Sequence, residues 1–201
     1  MRKYITYLIF SALMLVSFFF DAKVSTFIAS LRMEWLNNVF LGITYLGSVI
    51  IVFFIITSIF LVKRHHYRKI MPFWLGLGTA TLVAILLKYF FMRPRPYLAL
   101  DIELIAGIPL LMMAAGYSFP SNHSASVFSA LPLLDSEFKK LRIIWLLFAI
   151  LVAFSRIYLG AHYLSDVIAG SMIGYAAGDF WLSHSRRKWF RRIDFFRKWT
   201  T

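Results

Sequence analysis

Six stretches of this chain are long and apolar, and charged residues gather between them. The runs Tyr4–Phe20, Ile43–Val62 and Met71–Leu87 contain no Asp, Glu, Lys or Arg. Each comes close to the roughly 20 residues that a helix rising ~1.5 Å per residue needs to cross a ~30 Å hydrocarbon core. Three further candidates, Phe119–Leu134, Ile143–Leu159 and Tyr163–Leu182, are interrupted by polar residues near one end. Between the first two runs, Val24–Leu41 mixes apolar residues with Arg32 and Glu34 and follows Lys23, a pattern that predicts a helix lying on the outer surface rather than a span. The whole pattern predicts an all-α polytopic membrane protein with six transmembrane helices, at about 4–20, 43–62, 71–91, 119–134, 143–159 and 163–182. With no internal repeat and no low-complexity linker, residues 1–201 read as one domain.

Composition agrees with the pattern, and charge adds an orientation. Hydrophobic residues make up 60% of the chain and charged residues only 15%, too apolar for an ordinary soluble domain. Sixteen of the 22 Lys and Arg fall at Arg2 and Lys3, at Lys63, Arg64, Arg68 and Lys69, at Lys139, Lys140 and Arg142, and from Arg186 to Lys198. In a six-span layout these positions share one side. The positive-inside rule then predicts cytoplasmic termini and an extracytoplasmic face that carries the other six cations. Segregated in this way, the formal charge of +13 has a topological cause and does not point to nucleic acid. The tail SRRKWFRRIDFFRKW, Ser185 to Trp199, reads as a topology lock with aromatics at the headgroup level, with attraction of anionic lipid as an alternative, and His65 and His66 read as solvent-exposed loop residues. The first run follows a basic start, as a secretory signal does, but no small-residue cleavage site follows Phe20, so it reads as a retained span. Cysteine is absent, which leaves no disulfide, thiolate metal site or cysteine nucleophile.

The polar residues that interrupt the later runs gather at the predicted outer face: Lys88, Arg93 and Arg95, then Ser121, Asn122 and His123, then Ser155, Arg156, His162 and Asp166. Three permanent cations, Lys88, Arg95 and Arg156, stand against one carboxylate, Asp166. Such a balance repels a metal ion and attracts a phosphate. Spans four and six both begin on this face, so their N-terminal N–H groups and positive dipole ends are aimed at the same place. His162 and Asp166 are four residues apart, one helical turn, which would let the carboxylate accept one imidazole N–H and leave the other nitrogen free to attack. His123 would supply a proton to the departing oxygen. Arg93 reads as an interfacial anchor or as a residue with a secondary part in the site.

Three motifs in this order resemble the type-2 phosphatidic acid phosphatase superfamily, the lipid phosphate phosphatases to which the vanadium haloperoxidases are related. KYFFMRPRP, Lys88 to Pro96, is similar to the first motif, a lysine followed after six residues by Arg-Pro. PSNH, Pro120 to His123, is similar to the second, Pro-Ser-Gly-His, with Asn122 in the place of glycine. Ser155, Arg156, His162 and Asp166 match the third, Ser-Arg, five residues, His, three residues, Asp. The small size most resembles bacterial phosphatidylglycerophosphatase B and undecaprenyl pyrophosphate phosphatases. The resemblance implies that His162 forms a phosphohistidine, that Asp166 orients it and that His123 protonates the leaving group. It implies too that Lys88, Arg95, Ser121 and Arg156 hold the phosphoryl oxygens, with no metal and no cofactor, and Asn122 is expected to join them through its own amide donor. At Asn122, glycine would permit positive φ, and asparagine is among the few other residues that enter that region.

The expected partner is a phosphorylated lipid held in the bilayer, such as undecaprenyl pyrophosphate or phosphatidylglycerol phosphate. The long apolar connection Pro96–Phe119 would cover its entry at the outer interface. Two other functions fit the same residues: a phosphoryl or headgroup transferase, and a lipid-phosphate carrier. A carrier wants its charges at the midplane between two related halves, whereas these lie at span ends.

Overall fold

The computed structural model describes residues 2–62, 68–102, 105, 116–185, 187 and 190. Lys63, Arg64, His65, His66, most of the apolar connection after Pro96 and most of the basic tail therefore lie outside the described residues. The described chain is all-helical: α1 (Arg2–Ser30), α2 (Glu34–Leu46), α3 (Val49–Leu61), α4 (Ile70–Phe91), α5 (Pro96–Ala99), α6 (Asn122–Glu137), α7 (Arg142–Tyr158) and α8 (Leu164–His184), with a 3₁₀ turn at Lys139–Leu141.

Four of the expected spans coincide with α4, α6, α7 and α8 to within a few residues. The N-terminal third differs. Helix α1 runs ten residues past Phe20, because Asp21 and Lys23 are no obstacle to backbone hydrogen bonding and Asp21 finds buried partners on α8. The surface helix expected over 24–41 is consequently not one element: residues 24–30 complete α1, and α2 begins at Glu34. The expected straight span 43–62 is bent by 61° between α2 and α3. At the bend Ser48 caps α3, its Oγ accepting from Ile51 N at 3.3 Å, and Gly47 lies where a Cβ would come within 2.1 Å of Val152.

Among the described residues, three helical segments are long and apolar enough to cross a membrane, Ser11–Ser30, Ile70–Ala99 and Lys139–Tyr158, or four counting the bent pair α2–α3. Helix α6 falls short in length, at 16 residues, and α8 because Ser, Gly, Asp and His dilute its apolar residues; both can be polar in part because they form the centre. In α6, eleven residues from His123 to Leu134 are buried. Large side chains such as Phe19, Phe54, Leu86, Phe90 and Ile143 instead point outward, an apolar girdle suited to lipid.

The central pair packs backbone to backbone. Gly170, Gly174 and Gly178, one turn apart on α8, face Ser121, Ala125 and Ser129 on α6, and a Cβ at any of the three glycines would lie 2.2–2.3 Å from the facing carbonyl oxygen. Lipid is as apolar as Leu, so helices in a bilayer gain most from such close small-residue contacts. Helices α4, α1 and α7 pack around this pair. The apolar core, including Phe60, Ile70, Phe73, Leu133, Leu134 and Val152, occupies the middle and one end of the bundle. The buried polar residues gather at the other.

Candidate active site

Each of three segments is turned into the polar end by local backbone chemistry. Helix α4 ends at Met92, whose left-handed φ of 45° swings Arg93, Pro94 and Arg95 back across the helix end. Lys88, in the last turn, donates to the carbonyls of Tyr117 (2.9 Å) and Ser118 (3.2 Å). Ser118 closes the same junction, its N donating to Arg93 O at 2.8 Å and its Oγ to Pro94 O at 3.1 Å. Two of the three ammonium protons of Lys88 are thus committed to backbone, which leaves one for a ligand.

Ser121 is the N-cap of α6, its Oγ accepting from Ser124 N and from Ser124 Oγ. Asn122 is the first helical residue and does not take positive φ. The freedom that the sequence pattern reserves for glycine is unused there, because the position is an ordinary first helical turn. Ser121 N donates to Asp166 O at 3.0 Å, which locks the start of α6 to that of α8.

The third segment leaves α7 at Arg156, fully buried, whose Nη1 donates to Thr44 Oγ1 on α2. Arg156 O then accepts from both Ala161 N and His162 N at 3.1 Å. Between them Gly160 adopts φ 76°, with the Arg32 guanidinium 2.7 Å from where a Cβ would be. The tight loop carries His162 to Arg95, whose Nη1 donates to Ala161 O at 3.1 Å and stands 3.4 Å from His162 Nε2.

Asp166 is placed differently from expectation. His162 precedes the N-cap Tyr163, so the two residues do not share a helical turn; Asp166 sits at the third helical position and accepts from Tyr163 N at 2.9 Å in a capping box. Its Oδ2 lies 3.6 Å from His162 Nδ1, within ion-pair range but longer than a hydrogen bond. Oδ1 accepts from Arg93 Nη1 at 2.7 Å. Arg93 is therefore no interfacial anchor. Its other nitrogen, Nη2, lies 2.6 Å from Asp21 Oδ2 on α1, and its guanidinium stacks 4.0 Å from the Tyr163 ring.

The structure brings the expected residues together and adds Arg93, Asp21 and Thr44. Lys88, Arg95, Arg156, His162 and Asp166 are each at most 2% exposed, and four cations stand against two carboxylates. Burial, followed by the charges of Arg95, Lys88 and Arg156, holds the His162 imidazole well below its ordinary value of 6.5. A neutral ring at physiological pH has a lone pair with which to attack. Among the described residues, Arg95 Nε, Arg156 Nε and Nη2, and His123 Nε2 have no hydrogen-bond partner. Buried guanidinium donors demand acceptors, and an anion with several oxygens meets that demand. No group of three or more metal-ligating side chains occurs among the described residues.

A family model described as the PAP2 superfamily matches residues 69–190, more than half of the chain. The chain belongs to the PAP2 superfamily. It is 33% identical over 173 residues to phosphatidylglycerophosphatase B of Bacillus subtilis, covering 77% of each chain. It is 31% identical over 129 residues to the undecaprenyl-diphosphatase BcrC of the same organism, covering 62% of each. Among solved structures it resembles the transmembrane PAP2 type phosphatidylglycerolphosphate phosphatase of Bacillus subtilis, with a TM-score of 0.72 at 26% identity, covering 94% of this chain and 99% of that one. The PAP2 match begins at Lys69, so α1 and α2, which supply Asp21 and Thr44, lie outside it.

Proposed function

We propose that this PAP2 protein is an integral membrane lipid phosphatase that hydrolyses the phosphate monoester or diphosphate of a lipid through a phosphohistidine. The observation that carries the reading is the environment of His162: Nδ1 faces the Asp166 carboxylate, and Nε2 faces the Arg95 guanidinium in a pocket of buried cationic donors. In the first step Nε2 attacks phosphorus, the bond from phosphorus to the lipid oxygen breaks, and His123 gives that oxygen its proton. In the second, His123 takes a proton from water, the hydroxide oxygen bonds to phosphorus, and the P–N bond breaks to restore His162 and release phosphate. Asp166 orients the ring and balances the charge it acquires. Arg95, Arg156, Ser121, Asn122 and the remaining donor of Lys88 hold the phosphoryl oxygens, aided by the N-terminus of α6.

The chain crosses the membrane six times, with α2–α3 as a broken second span and the central α6 and α8 screened from lipid by their neighbours. Both termini are cytoplasmic and the site is extracytoplasmic, which is what the sixteen basic residues at the other face support. A lipid substrate keeps its tail in the bilayer while its phosphate enters between the helix ends. Phosphatidylglycerol phosphate and undecaprenyl diphosphate, the substrates in the names of the relatives, share this form.

The test uses pure full-length protein in detergent. His162→Ala should abolish turnover of every lipid phosphate. Native protein quenched in base during turnover of a ³²P-labelled substrate should carry label that acid removes, as a phosphoramidate does. Label that withstands acid, or turnover by His162→Ala, would refute the mechanism.

A further inference from the structure

Four groups from three parts of the chain, Asp21, Arg93, Ser165 and Asp166, meet beside His162, and of the four Asp166 alone is a residue that the three motifs specify. Arg93 donates through Nη1 to Asp166 Oδ1 (2.7 Å) and to Ser165 Oγ (2.7 Å), and through Nη2 to Asp21 Oδ2 (2.6 Å). Asp21, on α1, is 3% exposed, and also accepts from Ser165 N (2.9 Å) and Ser165 Oγ. The guanidinium lies between the rings of Phe18 and Tyr163, 5.0 and 4.0 Å from their centroids. Each member therefore has its orientation set by at least two neighbours.

We propose that Asp21 and Arg93 are positioning residues for the phosphoryl transfer: Asp21 holds Arg93, Arg93 holds one oxygen of Asp166, and the other oxygen is thereby aimed at His162. The inference rests on the assignment of His162 as nucleophile. Its geometry is specific. With Oδ1 fixed by Arg93 and Oδ2 receiving Tyr163 N, the carboxylate has no rotational freedom, and Oδ2 stays 3.6 Å from His162 Nδ1. Electrostatics gives Asp21 a second task. Arg93 alone would neutralise Asp166 and weaken its pull on the imidazolium-like ring formed on attack; a second carboxylate on the other side of the guanidinium offsets the Arg93 charge. Asp21 also accepts the second N–H of α8, one of the unsatisfied donors at that helix start. The first helix, which the family match starting at Lys69 does not reach, is thus wired into the centre.

A purely structural brace would move stability and leave the chemistry alone, so the test reads kcat and KM per folded molecule, together with melting temperature, for a lipid monophosphate. Asp21→Asn keeps the shape and removes the charge. It should lower kcat about tenfold with KM within about twofold, the low end of the ~10–100-fold typical for partners that orient a catalytic group. Arg93→Gln should lose ~10–100-fold, and Arg93→Lys about as much, because an ammonium cannot present two parallel donors to two carboxylates. Asp21 acts through Arg93, so the double variant Asp21→Asn/Arg93→Gln should be no slower than Arg93→Gln alone to within a factor of about 2. Losses that multiply, a change in KM alone, or a lower melting temperature with kcat intact would overturn the relay. If Asp21→Asn does not fold, Arg93→Lys, which keeps the charge, decides alone: native kcat overturns the proposal. His162→Ala run alongside separates the two assignments. Turnover by that variant sinks the nucleophile; an inactive His162→Ala beside a fully active Asp21→Asn sinks only the relay.

Discussion

Gly174 offers the sharpest test of how the fold sets the chemistry. A Cβ there would lie 2.2 Å from Ala125 O and 2.9 Å from Ala125 Cα and C, all backbone atoms that no side-chain rotation can move aside. Carbon atoms at rest stand ~3.5–4.0 Å apart, so Gly174→Ala forces α6 and α8 to separate by on the order of 1 Å. Overpacking of this kind costs ~1–3 kcal/mol. The effect on turnover should be larger than the effect on stability. His123 rides on α6, while His162 and Asp166 are fixed to the start of α8, and a displacement of ~1 Å between reacting groups costs about 10²-fold. The controls are Gly42→Ala and Gly78→Ala, helical glycines with nothing within 4 Å of an added Cβ. Their stability should be unchanged or raised by ~0.5–1 kcal/mol, since alanine loses less backbone entropy in a helix, and their activity should be native. The assay is thermal unfolding in detergent alongside kcat on a lipid phosphate. A Gly174→Ala protein as stable and active as Gly78→Ala would refute the idea that the glycine seam sets the distance between the two histidines.

Two further predictions concern the histidines. His123→Ala should cost ~10²–10⁴-fold in kcat/KM on a lipid monophosphate, the range of general acid catalysis, and clearly less on a diphosphate sharing the same tail, whose leaving phosphate is stable as an anion near neutral pH; equal losses on both would make His123 a phosphate-binding group instead. Because burial and the neighbouring cations lower the His162 pKa, the neutral ring persists as pH falls through 6.5, so under the proposed mechanism the acid limb of kcat/KM due to His162 should lie below 6.5, and a limb at or above that value in the pH profile would contradict the electrostatic account.

The helices around the site and the three motif segments were legible in sequence, because uncharged runs and fixed motif spacing are local signals. What escaped was long-range. Arg93 looked like a headgroup anchor because its two carboxylate partners are 72 and 73 residues away. Asp21 stood at the end of an apolar run, and a carboxylate there could have been flagged as needing a buried cation. Thr44 gives no signal at all, since threonine in an apolar helix is common and only the α2–α3 bend brings it to Arg156. The glycines at 170, 174 and 178 stand four apart, near the period of one helix face, but that spacing does not say which helix they meet, which is a matter of packing. The His162–Asp166 spacing suggested a helical turn, and the structure uses the same spacing to straddle a helix start.

The junction of Lys88, Arg93 and Pro94 with Tyr117 and Ser118 has a consequence for how the chain between them can change. It ties the two feet of the connection that leaves at Pro96 to one another as well as to α4, so Arg95 and Ser121 keep their spacing independently of the length of chain between the feet. The entropy of closing a loop grows only slowly with its length. Residues inserted, removed or exchanged in that connection should therefore leave Lys88, Arg95 and Ser121 where they are. The fold thus separates the placement of the first two motif segments from the length and content of the chain that joins them.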